Sequence, residues 1–66
     1  MNETLEARFK AVDEGFIEQI EIWRFGKNDY AVNFIENECS FRGTLAEVMD
    51  EIYSVYRPED LEEVEI

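Results

Sequence analysis

Carboxylates are the residues in this chain best able to do chemistry, and almost nothing accompanies them. The 66 residues hold 17 Asp and Glu against 6 Lys and Arg, with one cysteine and no histidine. Without histidine, no side chain has an ordinary pKa suited to general base work near neutral pH. Cys39 has no partner base of the kind that activates a thiolate, so it reads as a small buried core residue. Carboxylate pairs act as acid and base only where their surroundings set the two pKa values apart, and a domain this small is not expected to hold such a cleft. There is no glycine-rich phosphate loop. Calcium would need a loop such as D-x-D-x-D-G, and Asn28-Asp29 and Glu36-Asn37-Glu38 are too sparse to replace it. Zinc lacks a histidine or second thiol. The expectation is a protein that is not an enzyme and uses no cofactor or metal.

Other work remains open to the acids. From Thr44 to Ile66 eight acids stand against one base, Arg57. The plain reading is a solvated helix face and a soluble tail. The functional reading is a carboxylate array for a protein partner with a basic surface, using Glu47, Asp50, Glu51, Glu59, Asp60, Glu62 and Glu63. Such rows can imitate duplex phosphates and be steered into a nucleic-acid enzyme's groove. At a formal net charge of −11 the chain itself should bind neither nucleic acid directly nor an anionic membrane.

A second constellation is apolar. Trp23, Phe25 and Ile35, with Ile17 and Tyr30 near them, read either as core beneath a covering layer or as an interface hot spot. Arg24 and Arg42 lie on the same predicted sheet, as interface anchors or as counter-ions to local glutamates.

The most legible element is Thr44–Tyr56. Thr44 and Glu47 form an S/T-x-x-E capping box, with Gly43 turning the chain into the helix. Leu45, Val48, Met49, Ile52, Val55 and Tyr56 recur at helical spacing as one apolar stripe, of which Leu45, Val48, Met49, Ile52 and Tyr56 are expected to be buried against a sheet. Pro58 stops the helix. Residues 4–12 fit two patterns: the alternation of Leu5, Ala7, Phe9 and Ala11 suits a strand, while Leu5, Phe9, Val12 and Phe16 suit a helix capped by Asn2. Asp13-Glu14-Gly15 favours the strand, as a hairpin loop with a left-handed glycine. Residues 16–25 and 30–36 read as strands separated by Gly26-Lys27-Asn28-Asp29, and a turn at Asn37-Glu38 leads into a short strand at 39–42. The tail, residues 59–66, suits a helical turn or an edge strand. Asn2-Glu3-Thr4 matches a glycosylation sequon, which is read as chance.

These elements predict one domain, residues 1–66, of the α+β class: a small antiparallel meander of three to four strands with one long C-terminal helix packed on one face. Strand 16–25 carries apolar residues on both sides, with Phe16, Ile20 and Ile22 opposed to Ile17, Trp23 and Phe25. One helix roughly 20 Å long cannot shield both. Either the uncovered face closes a homodimer, or an N-terminal helix folds over it. No apolar run approaches transmembrane length and no signal-peptide pattern is present, so a cytoplasmic location is expected. No motif assigns a family. In profile the chain is similar to small phage-encoded inhibitors of host proteins, DNA mimics among them. The expected function is thus a non-enzymatic acidic inhibitor or regulator of a basic, nucleic-acid-handling protein. The alternative is a homodimeric assembly module joined through the apolar sheet face.

Overall fold

The computed structural model describes residues 3–66. Asn2, the candidate cap and the head of the sequon, lies outside them. Strands β1 (Thr4–Asp13) and β2 (Phe16–Gly26) form a long hairpin, which β3 (Asp29–Phe34) and β4 (Cys39–Gly43) continue as a meander. Helix α1 (Leu45–Val55) follows, then a 3-10 turn at Pro58–Asp60 and a last strand, β5 (Leu61–Val64). The sheet is antiparallel throughout, in the order β4-β3-β2-β1-β5. The α+β class therefore holds, with a corrected strand count: five rather than three to four. The helix is also not the C-terminal element, because the tail forms both a helical turn and an edge strand beside β1.

Residues 4–12 are strand, not helix. Ala7, Phe9 and Ala11 lie opposite Ile22, Ile20 and Glu18 and share their face. A bulge between Leu5 and Ala7 breaks the alternation, so Leu5 lies opposite Trp23 on the other face. At the hairpin tip Glu14 and Gly15 have φ of 50° and 85°. Positive φ at both central residues marks the type I′ turn, whose twist matches that of the flanking strands.

Helix α1 stands over β3 and β4. Thr44 Oγ1 accepts from Glu47 N at 3.2 Å and Glu47 Oε1 accepts from Thr44 N at 2.9 Å, which completes the capping box. Gly43 has another reason than the turn ascribed to it, since its φ is not positive. A Cβ there would stand 2.7 Å from Glu47 Oε1, where the capping carboxylate already lies.

Val48, Ile52 and Tyr56 are buried against Ile20, Ile22, Val32, Phe34 and Ala11, and Met49 packs at the margin. Leu45, expected to be buried, is 44% exposed, and Val55 at the edge of the stripe is 51% exposed. The helix sits over the last two strands, so Val55 overhangs the β4 edge and Leu45 occupies the first turn as the chain leaves that edge.

Candidate functional site

The sheet face opposite α1 has no second layer among the described residues. A row crosses it from Leu5 through Trp23 and Ala31 to Arg42, each directly opposite the next. Phe25 lies on the same face, with the Arg42 guanidinium 4.2 Å from its ring centroid. Arg42 also grips Asp29 with two parallel bonds, of 2.8 and 2.7 Å. That grip, chiefly its hydrogen bonding, holds the Asp29 carboxyl below the ordinary carboxylate range and raises the guanidinium. Further along, the Trp23 indole N–H donates to Glu21 at 3.1 Å, and Glu21 also meets Arg8 at 3.9 Å. Arg8 Nε is buried with no acceptor among the described residues. Lys10 pairs with Glu62 of β5 at 3.6 Å. Three bases and three acids thus neutralise one another on this side.

The expected interface set is brought together only in part. Trp23 and Phe25 are near neighbours. Ile35, 42% exposed, lies in the loop beyond β3, four residues from Ala31 and hence roughly 13 Å along the sheet. Tyr30 points to the helix side, opposite Arg24, and Ile17 sits near the hairpin tip opposite Val12. Arg24 donates to the Gly26 carbonyl at 3.0 Å.

The acids divide likewise. Glu47 serves the cap, Glu59 and Asp60 flank Arg57 at 3.8 and 3.2 Å, and Glu62 faces Lys10. The Asp60 hydrogen bond, and then the charges of Asp60 and Glu59, raise the Arg57 pKa. Asp50 and Glu51 on α1, and Glu63 on the helix side of β5 opposite Phe9, meet no cation among the described residues.

One polar centre was not anticipated. Glu18 is fully buried at the start of β2. Its carboxylate accepts from Asn37 N at 2.8 Å, Asn37 Nδ2 at 2.6 Å and the Tyr56 hydroxyl at 2.6 Å. Alongside, Glu36 accepts from Gln19 N at 2.5 Å, and Ile35 N donates to the Gln19 carbonyl at 3.0 Å. The β3–β4 loop is therefore latched onto β2 where β3 ends. Burial, then the bond to Glu18 and its charge, push the Tyr56 phenol up to about 12. The signal lay in the sequence: Glu18 shares parity with Ile20 and Ile22, and an acid on an apolar face calls for donors.

Between α1 and β4 lies an open groove of about 320 Å³, bounded by Phe34, Cys39, Phe41, Glu51 and Val55 among others. Cys39, expected in the core, is exposed here because it begins an edge strand that the helix overhangs without sealing. Among the described residues, no helix is long and apolar enough to cross a membrane, and no cluster of three His, Cys, Asp or Glu is placed to hold a metal ion.

Fold and surfaces together define a two-layer α+β domain with three ion pairs on its open sheet face and Asp50 and Glu51 without a cation on its helix, among the described residues. No family model, curated protein or solved structure matches the chain.

Proposed function

We propose that this is a non-enzymatic acidic binding protein, an inhibitor or regulator of a basic, nucleic-acid-handling protein, in the manner of a phage-type DNA mimic. The carrying observation is the contrast between the charge-paired sheet face and the uncompensated acids of the helix. Three ion pairs neutralise acids of the open sheet face, whereas Asp50, Glu51 and Glu63 on the helix side meet no cation among the described residues; other unpaired acids lie at the hairpin tip, at Asp13 and Glu14, and in the β3–β4 loop. Surplus charge spread over the chain serves solubility, and where it is locally uncompensated beside an ordered helix it steers a basic partner to that place. The contact comprises Asp50, Glu51 and Glu63, with Glu47 at the helix start and Glu59 and Asp60 after its end.

The test is capture of basic proteins from host lysate at low salt, followed by elution with duplex DNA. A partner that DNA displaces, that high salt releases, and that Asp50→Lys/Glu51→Lys/Glu63→Lys fails to hold supports the reading. A partner insensitive to all three removes it.

A second reading rests on the open sheet face. Leu5, Trp23 and Phe25 lie half-buried there beside the buried Ala31, with no covering layer among the described residues. A two-fold homodimer through this face would cover the half-exposed apolar row, and its charge pairing spares the dimer the repulsion that other faces would impose.

A further inference from the structure

We propose that the free edge of β4, together with the groove beneath α1, takes an extended basic segment of the partner as a sixth strand. This deepens the proposed function and rests on its premise that the partner is basic.

The two edges of the sheet are unequally guarded. An edge strand presents N–H and C=O groups from alternate residues, and proteins normally blunt it with charge, proline or brevity. β5 is blunted: four residues, two of them Glu62 and Glu63, entered from Pro58. β4 (Cys39-Ser40-Phe41-Arg42-Gly43) carries no acid, lysine or proline. Its single charge, Arg42, is turned to the opposite face and held there by Asp29 and the Phe25 ring. The helix-side face of β4 offers Cys39 and Phe41 alone, partners of Phe34 and Val32 in the ladder.

Beside this edge the groove supplies side-chain sites. Phe41 is 37% and Val55 51% exposed, one on the sheet and the other on the overhanging helix. A strand laid along β4 would set alternate side chains between them, as in other cases of strand addition. Glu51 lies on the helix wall of the groove, and Glu38 lines the adjoining depression beside Cys39 and Ser40. An aliphatic side chain over Phe41 and Val55, flanked two residues away on each side by lysine or arginine, matches that order of surfaces. A second copy of this chain does not. Pairing β4 with β4 would bring together two chains of net charge −11, each with Glu51 beside the joint.

The probe is a blocked, fluorescein-labelled peptide of sequence Thr-Lys-Thr-Val-Thr-Lys-Thr, read by fluorescence anisotropy at low salt. Two further peptides carry backbone N-methyl groups on alternate residues, one in each frame. An added strand turns only alternate N–H groups toward β4. One methylated frame should therefore lose about tenfold or more in affinity, through several lost hydrogen bonds, while the other binds like the parent. On the protein side, Val55→Lys fills the groove mouth, and Ser54→Lys makes the same charge change on the outer helix face. Val55→Lys should weaken binding about tenfold and Ser54→Lys about twofold, in the ratio of groove contact to general repulsion. Equal binding by both methylated frames, with equal weakening by both lysine variants, overturns strand addition and leaves the acidic face intact as the binding surface. No peptide binding, with DNA-displaceable capture retained, likewise overturns it. Loss of both peptide binding and capture removes the two proposals together.

Discussion

The Tyr56 hydroxyl donates to Glu18 Oε1 at 2.6 Å, joining the C-cap of the helix to the start of β2 across 38 residues. Asn37 adds two donors from the β3–β4 loop, so three separate segments meet at one acid without solvent access. A buried carboxylate is tolerated only with its lone pairs occupied, and here the occupants fix where the helix stops and how the loop folds. Glu18→Gln places an amide donor where donors already converge, and should cost about 1–3 kcal/mol. Tyr56→Phe removes a single bond and should cost about 1 kcal/mol, mostly lost again when made on Glu18→Gln. Urea denaturation of the two singles and the double measures this; strict additivity would show that the pair is not coupled.

The same contact sets an alkaline limit. With its phenol raised to about 12 from 10, Tyr56 keeps its proton in the folded state after the unfolded chain has lost it. The unfolded state then binds fewer protons, so stability falls as pH rises. This contribution is complete below about pH 10 and disappears as pH climbs toward 12. Thermal midpoints of the parent should drop across that window, and those of Tyr56→Phe should drop less. Parallel curves would place the alkaline transition elsewhere.

Burial along α1 predicts unequal costs within one apolar stripe. Ile52 is wholly enclosed, so Ile52→Ala should cost about 2–5 kcal/mol, enough to unfold most of a domain this small. Leu45 is 44% exposed, and Leu45→Ala should cost about 1 kcal/mol or less. Chemical denaturation of both variants checks the contrast; similar losses would mean that the helix is seated deeper on β4 than described.

What the sequence disclosed, and what it withheld, follows from the range of the interactions involved. The capping box, the Glu14-Gly15 hairpin and the strand order of the meander are local, and the chain states them directly. Helical spacing places Val48, Ile52 and Tyr56 in the core as found but overstates Leu45, because spacing gives a helix its apolar face without saying how far that face overruns the sheet. Leu5 was misplaced by a bulge that alternation cannot show. β5 went unresolved between turn and strand because a four-residue segment gains its structure only from β1. Of the candidate site residues, Trp23 and Phe25 adjoin as parity implies. Ile35 stands apart because β3 ends one residue before it.

Gly43 and Glu47 offer a test of why the glycine is needed. A methyl at position 43 would stand 2.7 Å from Glu47 Oε1 and 3.3 Å from its Cβ, so the carboxylate must leave its place. Without the return bond to Thr44 N the capping box is broken, at about 0.5–2 kcal/mol. Gly43→Ala and Glu47→Ala should each show that loss. The double variant should lose little more than either, because both remove the same bond. A double loss equal to the sum would assign the glycine a separate role in the backbone.

The open sheet face sets the oligomeric state under the second reading. Its centre is Trp23, between Leu5 and Ala31 in the ladder and two residues from Phe25. Large aromatics at the centre of an interface supply much of the binding energy, and a two-fold arrangement would bring each Trp23 against its partner's apolar row. Trp23→Ser should therefore convert dimer to monomer, whereas Val55→Lys, on the far side of the domain, should leave the dimer unchanged. Salt separates this contact from the acidic one: apolar association persists as ionic strength rises, while binding through Asp50, Glu51 and Glu63 weakens. Sedimentation equilibrium on the parent and both variants, at low and high salt, reads all of this in one series. A parent chain that stays monomeric at every concentration removes the dimer and leaves Trp23 and Phe25 half-buried on the sheet, braced by Glu21 and Arg42.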